Sequence, residues 1–149
     1  MKPYKRPESV LVIIYTKAAE VLLLRRCDVP TFWQSVTGSL RENETALEAA
    51  KREVWEETGL ITDQQLQDCH HQNRFEIKPP WRARYAPDVT HNTEYVFSFC
   101  LASRQPIQLN PKEHSHYCWL PRDEAIKKVT SYTNREAILK YVLESIGNW

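Results

Sequence analysis

Residues 38–60, GSLRENETALEAAKREVWEETGL, limit the possible folds of this chain more than any other stretch, because they encode a helix with both ends marked. Thr45 followed three residues later by Glu48 is a capping-box pattern, and Gly59 follows a run that contains neither Pro nor Gly. Apolar residues at helical spacing give a buried stripe, at Ala46, Leu47, Ala49, Ala50 and Val54. The pattern predicts a helix that ends near Thr58 and packs against a core.

Three carboxylates, Glu53, Glu56 and Glu57, crowd the last turn of this helix. Like charges at i,i+4 destabilise a helix by roughly 0.2–0.5 kcal/mol per pair, and the helix dipole favours cations at this end. Such a cluster is typical of a solvated acidic face or of a site for a hard cation such as Mg²⁺ or Mn²⁺. Arg52 is predicted to neutralise part of the charge by pairing with Glu56.

The spacing of the stretch resembles the Nudix box, Gx5Ex7REUxEExGU with U aliphatic. Every fixed position is filled, by Gly38, Glu44, Arg52, Glu53, Val54, Glu56, Glu57, Gly59 and Leu60. This resemblance favours the metal site over the solvated face. Asn43 stands where Gly usually precedes the glutamate, and Asn tolerates the left-handed backbone region that such a turn needs.

The resemblance implies an α/β Nudix fold, an α/β/α sandwich around a mixed β-sheet, formed by residues 1–149 as a single Nudix hydrolase domain. It also implies a diphosphatase (pyrophosphohydrolase) that uses water and a divalent metal, Mg²⁺ or Mn²⁺. The implied metal ligands, in an exposed site, are Glu53, Glu57, Glu56 and the carbonyl of Gly38. By the same resemblance, Arg52 orients a glutamate and Glu44 ties the loop to the helix.

The Nudix family often takes a further acid from outside the box, and Glu113 is the candidate here, as metal ligand or general base. An exposed loop glutamate is the alternative interpretation of Glu113. His114 and His116 are titratable neighbours for which a structural role is favoured over a catalytic one.

Flanking segments resemble the Nudix hydrolases that act on a phosphorylated pterin in folate biosynthesis. These segments are KRP at 5–7, FWQSVTGS at 32–39, RYAP at 84–87, NTE at 92–94 and EH at 113–114. The implied partner is a small phosphorylated pterin. The candidate binding residues are Lys5, Arg26 and Arg84 for phosphates, and Trp33 and Gln34, with Phe32, Ser35 and Trp81, for the ring.

Two other functions stay open at this point. The same residues suit a purine, so a Nudix hydrolase of nucleoside triphosphates or dinucleoside polyphosphates is one alternative. A non-catalytic Nudix-like module that senses a phosphorylated ligand is the other, and the complete set of box glutamates disfavours it.

Composition narrows the class of protein. A chain of 149 residues is long enough for one domain with a real core. A net charge of +1 argues against nucleic acid binding. No apolar run reaches about 18 residues and the first residues lack a signal-peptide pattern, which predicts a cytoplasmic protein without membrane contact. Four widely spaced cysteines predict free thiols. A monomer or weak homo-oligomer is expected.

Outside the box, apolar runs and turn residues predict the remaining elements. Strands are expected at 10–15, 21–25, 32–37, 69–77, 94–102 and 117–120, with a loop at 61–68 and an irregular segment at 81–92. Two further helices are expected, one beginning at Pro121 and an amphipathic one from Thr133 to Ile146.

Overall fold

The computed structural model describes residues 4–62 and 65–143. Its strands are β1 (Glu8–Thr16), β2 (Glu20–Arg26), β3 (Trp33–Gln34), β4 (Val36–Ser39), β5 (Leu66–Glu76), β6 (His91–Leu101) and β7 (His114–Pro121). Its helices are α1 (Ala46–Thr58), α2 (Pro79–Arg82), α3 (Arg122–Lys128) and α4 (Tyr132–Tyr141).

The central strand of the sheet is β1, whose two edges are used differently. One edge pairs with β6 in parallel along the whole strand. The other edge is shared, because β4 pairs antiparallel with Ser9 to Val12 while β2 pairs at Tyr15. The main path runs β3-β2-β1-β6-β5, and β7 pairs with β2. The strand that leads into α1 and the strand pair β2–β7 therefore lie on the same side of β1.

Side chains of β1 alternate between two apolar layers, as expected for a strand buried on both faces. Val10, Val12 and Ile14 pack with Ala49, Ala50 and Val54 of α1. Leu11 and Ile13 pack with Ala125, Val129, Ala137, Ile138 and Val142, which belong to α3, α4 and the residues that follow each helix. One helix therefore covers one face of the mixed sheet and two helices cover the other, which confirms the predicted α/β/α sandwich.

The predicted caps of α1 are present. The backbone N–H of Glu48 donates to Thr45 Oγ1 at 3.1 Å, and the backbone N–H of Thr45 donates to Glu48 Oε1 at 2.9 Å. Gly59 ends the helix in the left-handed region at φ 76°, and Asn43 makes the expected left-handed turn at φ 63°. Both ends of α1 are thus determined locally, which fixes the turn that carries the acids.

Several predicted boundaries are wrong. β5 already begins at Leu66, within the predicted loop, because β6 pairs with it from Phe99 onward. As a strand at the sheet edge, β5 exposes polar side chains that hide its pattern in the sequence. Likewise β7 begins at His114, since backbone pairing with β2 does not require apolar side chains. The segment predicted as irregular contains the end of α2 and the start of β6.

Other predictions concern the end of the chain and the cysteines. The last helix ends at Tyr141, and its predicted extension to Ile146 lies outside the described residues. All four cysteines are free, as predicted. Within residues 4–62 and 65–143, no helix has the length and apolar character needed to span a membrane.

Candidate active site

The last turn of α1 carries its glutamates inward. Glu57 is fully buried and Glu53 is 8% exposed. The expectation of an exposed site is therefore wrong for these two carboxylates, because α1 packs against the sheet through Ala50 and Val54. Glu56 is half-buried and pairs with Arg41 at 3.2 Å and with Arg52 at 3.3 Å.

Glu57 lies near the first residue of β7, His114, and the residue just before it, Glu113. Carboxylate oxygens of Glu57 and Glu113 and a ring nitrogen of His114 all lie within 4.8 Å of one another. Glu57 Oε1 lies 3.8 Å from His114 Nδ1. Neither carboxylate oxygen of Glu57 nor His114 Nδ1 has a hydrogen-bond partner among the described residues. Buried polar atoms without partners are rare, and this convergence of oxygen and nitrogen atoms suits a divalent cation.

The electrostatics of the cluster favour the binding of a cation. Burial raises the pKa of Glu57 well above its usual range, and the adjacent Glu53 raises it further. Partial desolvation and the charges of Glu53 and Glu56 raise the pKa of Glu113. Burial lowers the pKa of His114 to about 4, so its imidazole is neutral at pH 7. A bound cation would reverse the repulsion among these carboxylates.

Arg52 donates hydrogen bonds that fix the side chains of Glu44 and Glu53. Its Nε and Nη2 atoms donate to the two oxygens of Glu44, each at 2.8 Å, and Nη2 also donates to the carbonyl of Ser39 at 3.0 Å. Nη1 donates to Glu53 Oε1. Glu44 accepts a further bond from the backbone N–H of Arg41 at 2.9 Å. Arg52 thus orients Glu53 and Glu44 ties the loop to the helix, the arrangement expected from the sequence.

Replacing Glu44 by Gln is expected to destabilise the protein by roughly 1.5–3 kcal/mol at pH 7, the usual contribution of hydrogen bonds to charged groups. Hydrogen bonds from Arg52 hold the pKa of Glu44 at about 2, below its ordinary 4.5. The stabilisation is therefore present above pH 4.5 and lost as the pH falls from 4.5 towards 2. Urea unfolding of both proteins at pH 7 and pH 3 measures this. A difference that is the same at both pH values would contradict the charge-based explanation.

Gly38 lies directly against Glu53. A Cβ atom placed on Gly38 would come within 2.2 Å of Cδ and Oε2 of the Glu53 side chain. Gly38 pairs with Val10 in the β4–β1 ladder, so its backbone is fixed. The absence of a side chain at this position is what allows the Glu53 carboxylate to lie against β4.

The three predicted phosphate-binding residues come together beside the acidic cluster. The backbone N–H of Lys5 donates to the carbonyl of Arg84 at 2.8 Å. Desolvation and the charges of Arg84 and Arg26 lower the pKa of Lys5, while Glu53 and Glu113 oppose that shift. Lys5 therefore lies within electrostatic range of both the arginines and the acids.

Asp28 joins the two arginines of this group. It accepts hydrogen bonds from Nε and Nη2 of Arg26 at 2.7 and 2.6 Å, and it lies 3.6 Å from Arg84 Nη2. The Arg26 guanidinium also lies 5.4 Å from the Trp81 ring and 6.0 Å from the Phe32 ring. The two rings contact edge to face with centroids 5.7 Å apart. Cations and aromatic faces thus form one continuous surface.

The structure separates Trp33 and Gln34, two of the five residues predicted to hold the ring of a ligand. Trp33 packs in the layer formed with α3 and α4, and Lys128 Nζ lies 4.5 Å from its ring. Gln34 faces the acidic cluster, is 5% exposed and bonds His114 through its side chain. Of this pair, only Gln34 reaches the candidate site.

His114 is the functional candidate that sequence reasoning disfavoured. Its position beside Glu113 was the available signal, but a neighbouring histidine says nothing about burial. Backbone hydrogen bonds set the position of His114. The N–H groups of Glu113 and His114 both donate to the carbonyl of Asn110, each at 3.0 Å. The N–H of Cys27 donates to the carbonyl of Glu113 at 2.9 Å, which fixes the pair next to β2.

Similarity to known proteins extends well beyond the box. The NUDIX domain family model matches residues 5–141. The chain is 47% identical over 148 residues to the dihydroneopterin triphosphate diphosphatase of Escherichia coli K12, covering 97% of each chain. It is 42% identical over 146 residues to the Haemophilus influenzae protein of that name, covering 95% and 91%. The solved E. coli dihydroneopterin triphosphate pyrophosphohydrolase matches with a TM-score of 0.88 at 46% identity, covering 95% and 98%.

Proposed function

Because the chain belongs to the Nudix family, we propose that it hydrolyses 7,8-dihydroneopterin triphosphate to the monophosphate and diphosphate, a reaction of folate biosynthesis. The E. coli and H. influenzae relatives, at 47% and 42% identity, are named for action on this triphosphate. Nudix hydrolases need a divalent metal, and we assign Mg²⁺ to this role, with Mn²⁺ as a substitute.

The observation that carries the proposal is the proximity of a cationic surface to an acidic cluster. Lys5, Arg26 and Arg84 lie on one side, and Glu57 and Glu113 on the other. A triphosphate tail needs cationic groups along its length, and arginines offer bidentate geometry to phosphate oxygens. A hydrolytic site also needs acids that hold a metal. This arrangement supports a polyphosphate substrate.

The acidic residues would have different roles in the reaction. Glu57, Glu53 and Glu113 would hold the metal, which supplies positive charge to the phosphate oxygens and acidity to a bound water. Arg52 keeps Glu53 in place through its fixed bonds to Glu44 and Ser39. Glu113 faces solvent, so a carboxylate oxygen that does not hold the metal would be placed to accept a proton from water.

The aromatic part of the surface supports a flat ring at the end of the triphosphate. Trp81 and Phe32 lie next to Arg26, so a pterin can stack there while its tail runs towards the acids. A purine would fit the same faces, which makes the substrate comparison the decisive experiment.

Steady-state hydrolysis of dihydroneopterin triphosphate, the common nucleoside triphosphates and diadenosine tetraphosphate, with Mg²⁺ and with EDTA, tests the proposal. We expect kcat/KM for the pterin to exceed the others by at least about tenfold, equal to roughly 1.4 kcal/mol of transition-state discrimination, and EDTA to abolish turnover. A preference for a nucleotide would leave the Nudix chemistry in place and refute the pterin assignment.

Replacing Glu113 by Gln is expected to lower kcat by about 10²–10⁴-fold, the usual contribution of a positioned general base, with a smaller change in KM. Glu42→Gln is the matched control, because Glu42 is an exposed acid in the loop before α1. Initial rates over a range of substrate concentrations measure both parameters. A Glu113→Gln rate equal to that of the control would return Glu113 to the role of an exposed loop glutamate.

A further inference from the structure

One buried group next to the acidic cluster has no role in the chemistry above. His114 is 3% exposed, and its Nδ1 atom has no hydrogen-bond partner among the described residues. Nδ1 lies 3.8 Å from Glu57 Oε1, which is too long for a hydrogen bond. An imidazole nitrogen buried without a partner destabilises a protein unless a ligand completes it.

The other ring nitrogen of His114 is held in place. Nε2 lies 3.0 Å from the side-chain Nε2 atom of Gln34, which is itself buried. Turning this amide over by 180° places its oxygen at the same point without a change of shape. When the oxygen accepts the Nε2–H, the neutral ring carries its lone pair on Nδ1. That lone pair then faces the carboxylates of Glu57 and Glu113.

The three donor atoms lie close enough to bind one ion after a small movement. The donor atoms of Glu57, Glu113 and His114 are at most 4.8 Å apart. Three ligands spread around one small divalent ion are about 3.0–3.6 Å apart, given bonds of about 2.1 Å. An approach of roughly one ångström is therefore needed. Glu113 is exposed and can supply it, while Glu57 and His114 stay fixed in the core.

We propose that His114 binds the divalent cation through Nδ1 together with Glu57 and Glu113, and that Gln34 orients the ring by accepting the Nε2–H. The inference rests on the proposed function for the presence of a metal and adds an imidazole to its ligands. Imidazole favours Co²⁺ and Zn²⁺ over Mg²⁺, which prefers oxygen. His114 therefore tunes metal preference, and Gln34 is a positioning residue.

Pulsed EPR of the Mn²⁺-loaded protein tests the ligand directly. We expect the ¹⁴N coupling of a bound imidazole in the wild type, its loss in His114→Phe and its retention in His116→Gln. His116 is the matched control, because it is an exposed imidazole two residues further along the chain. If His114→Phe does not fold, wild-type protein with ¹⁵N-labelled histidine tests whether the ligand is an imidazole. The ¹⁴N coupling should then be replaced by a ¹⁵N coupling.

Metal affinity gives a second readout. Calorimetric titration should show Co²⁺ binding weakened more than about tenfold in His114→Phe, and by about 10–100-fold in Gln34→Leu, the usual effect of losing a group that orients a ligand. Mg²⁺ binding should change less.

Bound Mn²⁺ without ¹⁴N coupling, coupling kept in His114→Phe, or no Mn²⁺ binding at all would each overturn the inference. Pterin turnover without the coupling would refute it while the proposed function stands. The coupling without pterin turnover would support the inference and refute the proposed function.

Discussion

Replacing Glu57 by Gln is expected to lower kcat by more than about 100-fold while making the metal-free protein more stable. The loss of rate should exceed the 10–100-fold effect of removing outer-shell partners of metal ligands, because Glu57 would contact the metal itself. The gain in stability follows from burial, since Glu57 is fully buried and neither of its oxygens has a partner among the described residues. Because burial raises the pKa of Glu57, keeping this carboxyl either ionised or protonated at neutral pH opposes folding, and a neutral amide of the same shape avoids that cost, worth roughly 1–3 kcal/mol.

Urea unfolding in EDTA and in excess Mg²⁺ measures the effect on stability. The wild type should gain free energy of unfolding with metal, about 2.7 kcal/mol at a hundredfold excess over Kd, and Glu57→Gln should gain much less. Glu53→Gln is the matched variant. It should also lose turnover, but it should lose stability in EDTA, because Glu53 is paired with Arg52. A Glu57→Gln protein with near wild-type turnover would refute the metal assignment.

Replacing Gly38 by Ala is expected to lower kcat by roughly 10²-fold, comparable to the loss of a metal-orienting group, with little change in stability. The added methyl would come within 2.2 Å of the Glu53 carboxylate, so that side chain must move. The clash is with the flexible end of a side chain, and the Gly38 backbone is not left-handed, so the fold itself can accept Ala.

Gly59→Ala is the reciprocal control. Gly59 holds φ 76° at the end of α1, where Ala is strained, and we expect a loss of roughly 1 kcal/mol of stability. Turnover below the unfolding transition should stay near wild type. Steady-state rates and urea unfolding of the two variants, measured side by side, separate a functional glycine from a structural one. Unchanged kcat in Gly38→Ala would show that the position of Glu53 does not matter for the reaction.

Local chemistry explains why some features were predictable. The capping box at Thr45, the stop at Gly59 and the turn at Asn43 depend on backbone preferences and hydrogen bonds within a few residues. The strand β1 was predictable from its continuous apolar residues, because a strand covered on both faces must be apolar throughout. The sandwich, the box helix and its acids follow from such signals.

Pairing between distant strands determined the rest. No local pattern in the sequence distinguishes Trp33 from Gln34 as ligand contacts, yet the alternation of β3 turns Gln34 to the acids and Trp33 to the opposite layer. The starts of the polar strands β5 and β7 were misplaced for the same reason, since backbone pairing carries no side-chain signature.

By itself, the sequence determined the box helix, its caps and the identity of its acids, because each depends on residues within one or two helical turns. Only the tertiary structure decided that Glu57 is buried and that His114 joins it. Burial and coordination depend on how β7 pairs with β2 and how α1 packs on the sheet. Those contacts join residues far apart in the chain, and their geometry exists only after the sheet has formed.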